Sequence, residues 1–409
     1  GESLLLAALV RMANGSESLA LSDLAANADP TAVTLLLLAF GIKLAIPGLH
    51  FWIAPAYRVT PTPAVAALSG AMMNVGILGL VSLLPLGMVG FETAARWMIG
   101  LGLLGTFYGV IAGLLQRHPK AILGCSSMSQ MGMVVAAMGL AMLAPSPAIT
   151  AALLGLLTIY AIHHGLIKST LFLLVDRGRV PASQRLWIAV LGLALAGLPL
   201  TSGWWAKAEL KQLLGLVESQ TGEPMSLVAL ALSISALTTT VLILHLLRRL
   251  KALAAAETSP GLVPPFVIPF VTLGPVALIS VALCLAMPAW LLGQEPASPK
   301  WLDALWIIAG LAAFMLVAQL WQPSSAPRLR LLGGIAHRFA CFARTTQSRL
   351  RALRPQAGHA TPPISQPIRA ATTVFDPKLN LSESGLRQWP VAGVSLLAVL
   401  LILVAGLWV

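Results

Sequence analysis

Three lysines and two histidines stand in stretches of sequence that are otherwise apolar. Lys43 lies within residues 31–51, His163, His164 and Lys168 within residues 148–175, and Lys207 within residues 186–216. An ammonium group removed from water titrates closer to neutrality, where histidine already does, so such groups can exchange protons under ordinary conditions. His164 and Lys168 are four residues apart and share one helix face, an arrangement that can hand a proton along a file of water. His163 points about 100° away, which leaves packing and relay as alternatives. Pro47 follows Lys43 by four residues, and its missing N–H leaves the Lys43 carbonyl without a helical donor. A second breaker run, Gly197-Leu198-Pro199 with Gly203, precedes Lys207. Glu209 is the one acidic residue far from the ends of an apolar block; it either pairs with a lysine or joins Lys207 and Lys211 at an interfacial helix end. Ser126, Ser127, Ser129 and Gln130 make a polar patch in a further apolar block. Such groups glue helices together, and beside buried lysines they can also line a hydrated segment.

These groups must be positioned by membrane helices. The chain has 409 residues, 57% of them hydrophobic and 10% charged, with a mean hydropathy of +0.86. A soluble domain carries about 25% charged residues. The apolar residues come in blocks of about twenty, the length that crosses a hydrocarbon core. A charge at the middle of such a block costs roughly 2.5–3.5 kcal/mol on insertion scales and usually marks a pathway. The net charge of +12, from 26 basic and 14 acidic side chains, follows from basic loops and one basic tail, with no nucleic-acid module. Cys125, Cys284 and Cys341 have neither metal-ligand nor disulfide spacing, and no cofactor is expected.

Apolar blocks and their breakers predict an all-α polytopic protein with about eleven crossings. The first is a short run, 4–12, from which further helices are expected upstream. The others are 31–51, 64–84, 94–115, 119–143, 148–175, 186–216 (interrupted), 226–247, 266–292, 301–321 and 390–409. Loops holding Arg58, Arg117/His118/Lys120, Arg177/Arg179/Arg185 and Arg248/Arg249/Lys251 alternate with non-basic loops. That alternation places the basic loops in the cytoplasm and the C-terminus on the opposite side, in a bacterial inner (plasma) membrane. Residues 327–354, with seven arginines among apolar residues, read as a basic amphipathic segment on an anionic lipid surface. The Pro-, Thr- and Ser-rich stretch after it reads as a linker.

Four motifs in order carry a resemblance: residues 61–73 (PTPAVAALSGAMM), 119–132 (PKAILGCSSMSQMG), 164–173 (HGLIKSTLFL) and 198–207 (LPLTSGWWAK). Together they resemble the proton-translocating antiporter-like family, which includes the large membrane-arm subunits of respiratory complex I, membrane-bound hydrogenase subunits and Mrp antiporter subunits. The resemblance covers about residues 31–220. It implies two inverted five-helix repeats, each with a broken helix, around a hydrated axis. The expected organisation is 1–84 for the remainder of the first repeat, 94–248 for the second and 249–322 for additional helices. A cytoplasmic segment with its linker (323–389) and a last helix (390–409) follow. Lys43 matches the lysine of the first broken helix, His164 and Lys168 the pair between half-channels, and Lys207 the lysine of the second broken helix. The implied function is translocation of protons, or of sodium, by a non-redox subunit that works beside other membrane subunits. The competing readings are a stand-alone secondary transporter and the membrane subunit of an inorganic-carbon uptake complex. Two departures stand out. Ser69 and Asn74 occupy places where relatives carry a lysine or histidine, and the glutamate that partners the first lysine is expected on a helix upstream, Glu2 being close to the chain start.

Overall fold

The computed structural model describes residues 1–14, 16, 18–175, 180, 182–256, 278–280, 282 and 301–320. The chain divides into two compact units, Gly1–Phe314 with Arg387–Val409 and Met315–Leu386; of the second, only residues 315–320 are described. Among the described residues all regular structure is helical. The expected basic segment 327–354, the linker and the crossing 390–409 lie outside the described residues, as does all but residues 278–280 and 282 of the block 266–292.

The helices are α1 (Glu2–Ala13), α2 (Leu21–Ala26), α3 (Pro30–Lys43), α4 (Ile53–Val59) and α5 (Thr62–Ala67). A π turn at Leu68–Met72 joins α5 to α6 (Met73–Leu83). Then come α7 (Glu92–Leu114), α8 (Pro119–Met142), α9 (Pro147–Leu174), α10 (Ala182–Ala196), α11 (Ser202–Thr221), α12 (Ser226–Ala256) and, after a 3₁₀ turn at Trp301–Asp303, α13 (Ala304–Leu320). Among the described residues five helices are long and apolar enough to cross a membrane: Thr62–Leu83, α7, α8, α9 and the α12 segment Ser226–Ala254. Pro30–Lys43, Gln184–Ala196 and Ala304–Val317 are shorter apolar helices. The starts follow local chemistry. Asp29 caps α3 by accepting from the Ala32 N–H at 2.7 Å, and Ser146 caps α9 through the Ile149 N–H at 3.4 Å. Each cap is followed by a proline in the first turn, where no helical bond is lost.

In the expected block 31–51 the helix α3 ends at Lys43 and a loop follows, with α4 beginning only at Ile53, and 186–216 is α10 and α11. Helix α12 runs on to Ala256, well past the expected residue 247, and carries Arg248, Arg249 and Lys251 with it. Three basic loops meet at one end of the bundle. Lys120 Nζ donates to the Thr60 carbonyl (3.2 Å), His245 Nε2 lies 3.1 Å from the Gln116 carbonyl, and Arg249 Nε donates to the Arg117 carbonyl. His118, in this cluster, is held below the usual imidazole range by burial, then by Arg58 and Lys120. An ion pair, Arg96 with Glu223 at 2.6 Å, ties the start of α7 to the α11–α12 turn.

Helix α8 is the pillar of the bundle: every residue but Lys120 is buried. Glycines bring α7 against it. A Cβ at Gly102 would lie 2.5 Å from the Ala136 amide and the Gly132 carbonyl, and one at Gly109 would lie 2.6 Å from the Ser129 amide. Backbone cannot move aside as a side chain can, so these positions admit only glycine at the observed spacing, the small-residue packing common in membrane bundles. Gly105, between them, receives the ring of Pro47, whose Cδ would be 3.1 Å from a Cβ there. Replacing Gly109 with alanine is expected to cost about 1–3 kcal/mol of stability, read as thermal unfolding in detergent. Gly100→Ala, where a Cβ meets nothing within 4 Å, is the control without loss.

Outside the helical core, Arg11 Nε donates to Asp29 Oδ2 at 2.7 Å and ties α1 to the start of α3. The guanidinium, together with the Ala32 N–H, holds the Asp29 carboxyl at about 2. A depressed folded-state value means that this tie is fully present above the ordinary carboxylate value of about 3.9 and is lost as the pH falls through about 2. Arg11→Ala should return Asp29 toward the ordinary value, followed by carboxyl carbon NMR.

Candidate functional site

Both helix breaks close with the same turn. At the first, the Ala45 N–H donates to the Ile42 carbonyl (3.3 Å) and the Ile46 N–H to Gly41 (2.9 Å), with Ala45 in the left-handed region at φ +53°. At the second, the Gly197 N–H donates to Ala194 (3.1 Å) and the Leu198 N–H to Leu193 (2.9 Å), with Gly197 at φ +100°. This crossed pair of bonds satisfies carbonyls that a helix end otherwise leaves open. It also corrects the expected cause of the breaks. Pro47 and Pro199 each stand two residues beyond the left-handed residue, so they bar resumption of the helix after the turn has ended it. Trp52 Nε1 donates to the Ile42 carbonyl at 2.8 Å and pins the first break from the far side.

Lys43 is the last residue of α3 and forms an ion pair with Glu2 at the start of α1. The expected upstream partner is thus supplied, in geometry, by Glu2. The lysine side chain is 19% exposed and the glutamate 76%. Helix α6 lies between this break and α9: a Cβ at Gly76 would be 3.5 Å from Lys43 Cβ, and Asn74 Nδ2 donates to the Ala161 carbonyl at 2.9 Å. Asn74 Oδ1 is buried without a hydrogen-bond partner among the described residues.

The centre is formed by α5, the π turn, α8 and α9. Lys168 is wholly buried, and its Nζ donates to the Leu123 carbonyl at 3.1 Å. That carbonyl also accepts from Ser127 Oγ (3.1 Å), and Ser127 Oγ lies 2.9 Å from Ser69 Oγ in the π turn. The turn presses on α9: a Cβ at Gly70 would fall on Ser169 Oγ, which donates to the Ala66 carbonyl. No carboxylate pairs with Lys168 among the described residues, so a permanent charge there would carry an uncompensated desolvation cost. His164 is equally buried, and neither ring nitrogen has a protein partner among the described residues. Buried polar atoms without protein partners are ordinarily met by water.

His163 joins the second break instead. Its Nδ1 is 2.7 Å from Ser202 Oγ at the start of α11, and a Cβ at Gly203 would lie 2.9 Å from its Nε2. Lys207, 7% exposed, donates to the Ala196 carbonyl at 2.8 Å and to Ser235 Oγ at 3.3 Å. The cation therefore caps the C-terminus of α10, where the helix dipole favours positive charge. One helical turn on, Lys211 pairs with Asp303 before α13. Glu209 is half-buried and makes no ion pair among the described residues; of its two expected roles the lysine pairing is not seen, and Lys211 pairs with Asp303 of a distant element.

The polar patch of α8 divides by direction. Ser129 Oγ donates to the Thr106 carbonyl at 2.7 Å and serves as interhelical glue. Ser127 belongs to the Lys168 cluster, while Ser126 Oγ is buried with no partner among the described residues. Gln130 accepts from the Tyr160 hydroxyl and donates to Thr239 Oγ1 at 3.3 Å. Asp303, Ser235 and Tyr160 were not legible as site residues, and Glu2 was set aside for its nearness to the chain start. The only signal for Glu2 and Asp303 is an acid placed at the rim of an apolar block.

Residues 1–233 match the family described as NADH:quinone oxidoreductase/Mrp antiporter, transmembrane. The chain is 31% identical over 314 residues to NAD(P)H-quinone oxidoreductase chain 4 1 of Synechococcus sp. (strain JA-3-3Ab), covering 70% of this chain and 56% of that protein. It is 39% identical over 113 residues to NADH-quinone oxidoreductase subunit N of Geotalea uraniireducens (strain Rf4), covering 27% and 24%. The chain thus spans about half the length of the first relative and about a quarter of the second. A chain of the Mrp complex from Dietzia sp. DQ12-45-1b shares the fold with a TM-score of 0.51 at 18% identity, over 76% of this chain and 65% of that one.

Gly203→Ala should displace His163 and the Ala194 carbonyl that pack against this glycine, loosening the second break. Amine-labelling followed by mass spectrometry is expected to modify Lys43 and spare Lys207 in the parent protein, and to reach Lys207 in the variant.

Proposed function

The chain belongs to the NADH:quinone oxidoreductase/Mrp antiporter transmembrane family, and we propose that it translocates protons as one non-redox membrane subunit of a larger complex. The observation that carries this reading is the set of ionisable groups, all buried but the half-buried Lys43, that accompanies two interrupted helices. Lys43, His164 and Lys168, and Lys207 with His163 come from α3, α9 and α11, and the middle of the file has no protein counter-charge among the described residues.

The chemistry follows from that distribution. A proton reaching His164 or Lys168 creates a charge in a medium where it is poorly compensated. Two unit charges roughly 10 Å apart at an effective dielectric of about 20 interact by about 1.7 kcal/mol, more than a tenfold change in an equilibrium. Charging the centre therefore favours release at Lys43 or Lys207, and tightening of Lys43 on Glu2 or of Lys211 on Asp303 resets it. Asn74 bridges the first half as a neutral hydrogen-bonding group, a place where water carries the proton and no side chain does.

The two matching breaks support reading 1–84 and 94–248 as repeats of one design. The meeting of basic loops at one end supports a cytoplasmic placement for that end, in a bacterial inner membrane, with other membrane subunits covering the exposed apolar helix faces. For residues 327–354 we propose the anionic lipid surface as the partner.

Lys168→Ala, in membrane vesicles holding the assembled complex, is expected to reduce proton translocation at least tenfold while the chain remains in the membrane. Undiminished translocation in that variant would falsify the reading.

A further inference from the structure

We infer that His50 is a positioning residue for Lys43, its imidazole fixing the first break against α7 through Tyr108; this rests on the proton-translocation reading above. Lys43 ends α3, and the chain runs without a helix from there to Ile53. Where this loop settles therefore decides where the lysine stands. Packing holds it at two points: Pro47 rests on Gly105, and Leu49 Cδ1 would be 3.0 Å from a Cβ at Gly41. Trp52 ties it back to α3 through the Ile42 carbonyl. Backbone bonds run through it as well, from the Leu49 N–H to the Ile46 carbonyl (2.8 Å) and from the Ile53 N–H to the His50 carbonyl (3.1 Å). His50 adds a side-chain hydrogen bond to a separate helix: its Nε2 lies 3.0 Å from the Tyr108 hydroxyl oxygen on α7.

The direction of that bond is set from within the loop. His50 Nδ1 accepts from the Gly48 N–H at 3.2 Å. A backbone N–H can only donate, so Nδ1 carries no proton and the neutral ring holds its one proton on Nε2. Nε2 therefore donates to the phenol oxygen. Gly48 stands at φ +91°, in the left-handed region open to glycine. The two rings meet edge to face with centroids 4.8 Å apart, a favoured aromatic geometry. Packing alone does not call for this pair. Leu104 and Ile111, about one turn to either side of Tyr108, and Phe51 beside His50 are exposed apolar side chains. In such surroundings a polar ring is costly unless it is hydrogen-bonded, and leucine at 50 with phenylalanine at 108 places no polar atom there. The consequence falls on the lysine. Lys43 is paired with Glu2 and stands close against Gly76 of α6, so a loop released from α7 lets the end of α3 move and loosens the ion pair.

The test uses vesicles holding the assembled complex and reads two quantities. One is proton translocation; the other is the rate at which an amine reagent modifies Lys43, with Lys207 as internal reference. Tyr108→Phe keeps the ring and removes the acceptor. His50→Asn keeps an acceptor near the place of Nδ1 and removes the donor, whereas His50→Gln keeps a donor near the place of Nε2. Tyr108→Phe and His50→Asn are each expected to speed Lys43 labelling and slow translocation about fivefold. The double variant should be no worse than either, since the two side chains act as one unit. His50→Gln should restore most of both readouts. Unmoved Lys43 labelling in Tyr108→Phe overturns the inference. So does a loss in His50→Gln as large as in His50→Asn, which marks a packing role. Lys43→Ala tells the two failures apart. If it translocates normally, the proton-translocation reading fails at this lysine and the positioning role falls with it. If it is impaired while Tyr108→Phe is normal in both readouts, the inference alone fails. Should His50→Asn not accumulate, Tyr108→Phe decides by the same outcomes.

Discussion

Within a bilayer, every backbone N–H and C=O must find its partner inside the protein, and this chain interrupts two helices where that demand is strictest. The local solution is the crossed turn at Ala45 and Gly197, which returns two N–H groups to carbonyls of the ending helix. The remaining solution is supplied by side chains. Trp52 reaches the Ile42 carbonyl, and Lys207 reaches that of Ala196. A lysine so placed is both a structural cap and a carrier of ionisable charge, so the backbone constraint and the proposed chemistry are met by one group.

Close packing around α8 gives those groups their spacing. Glycines on α7 and α8 let the two backbones nearly touch, and Gly105 seats Pro47, so the first break is braced against α7, the helix packed on the one that carries Ser127 and Gln130. On the opposite side of α8 the π turn and Gly70 bring Ala66 within reach of Ser169. The polar side chains of α8 therefore face different neighbours, some gluing helices and some meeting Lys168.

Charge is arranged unevenly along the file. Carboxylates stand near its two ends, Glu2 with Lys43 and Asp303 with Lys211, while Lys168 donates to the Leu123 carbonyl and has no carboxylate partner among the described residues. An ion pair tolerates a standing charge, whereas an uncompensated site tolerates one only in passing. In the proposed mechanism, this difference lets a charge arriving at the centre act on both ends.

The sequence by itself determined membrane placement, the all-α class, the breaks and the lysines beside them, because hydropathy blocks, glycine–proline runs and isolated charges are local signals. The helices α7, α8 and α9 were legible to within a few residues for the same reason. Partnership was not local. That Glu2 meets Lys43 over forty-one positions, that Asp303 and not Glu209 answers Lys211, and that His163 turns to Ser202 while His164 faces the file were decided by tertiary packing. Residue spacing fixes only the angle at which a side chain leaves its own helix. Which helix waits there depends on the glycine contacts that set how closely the bundle closes.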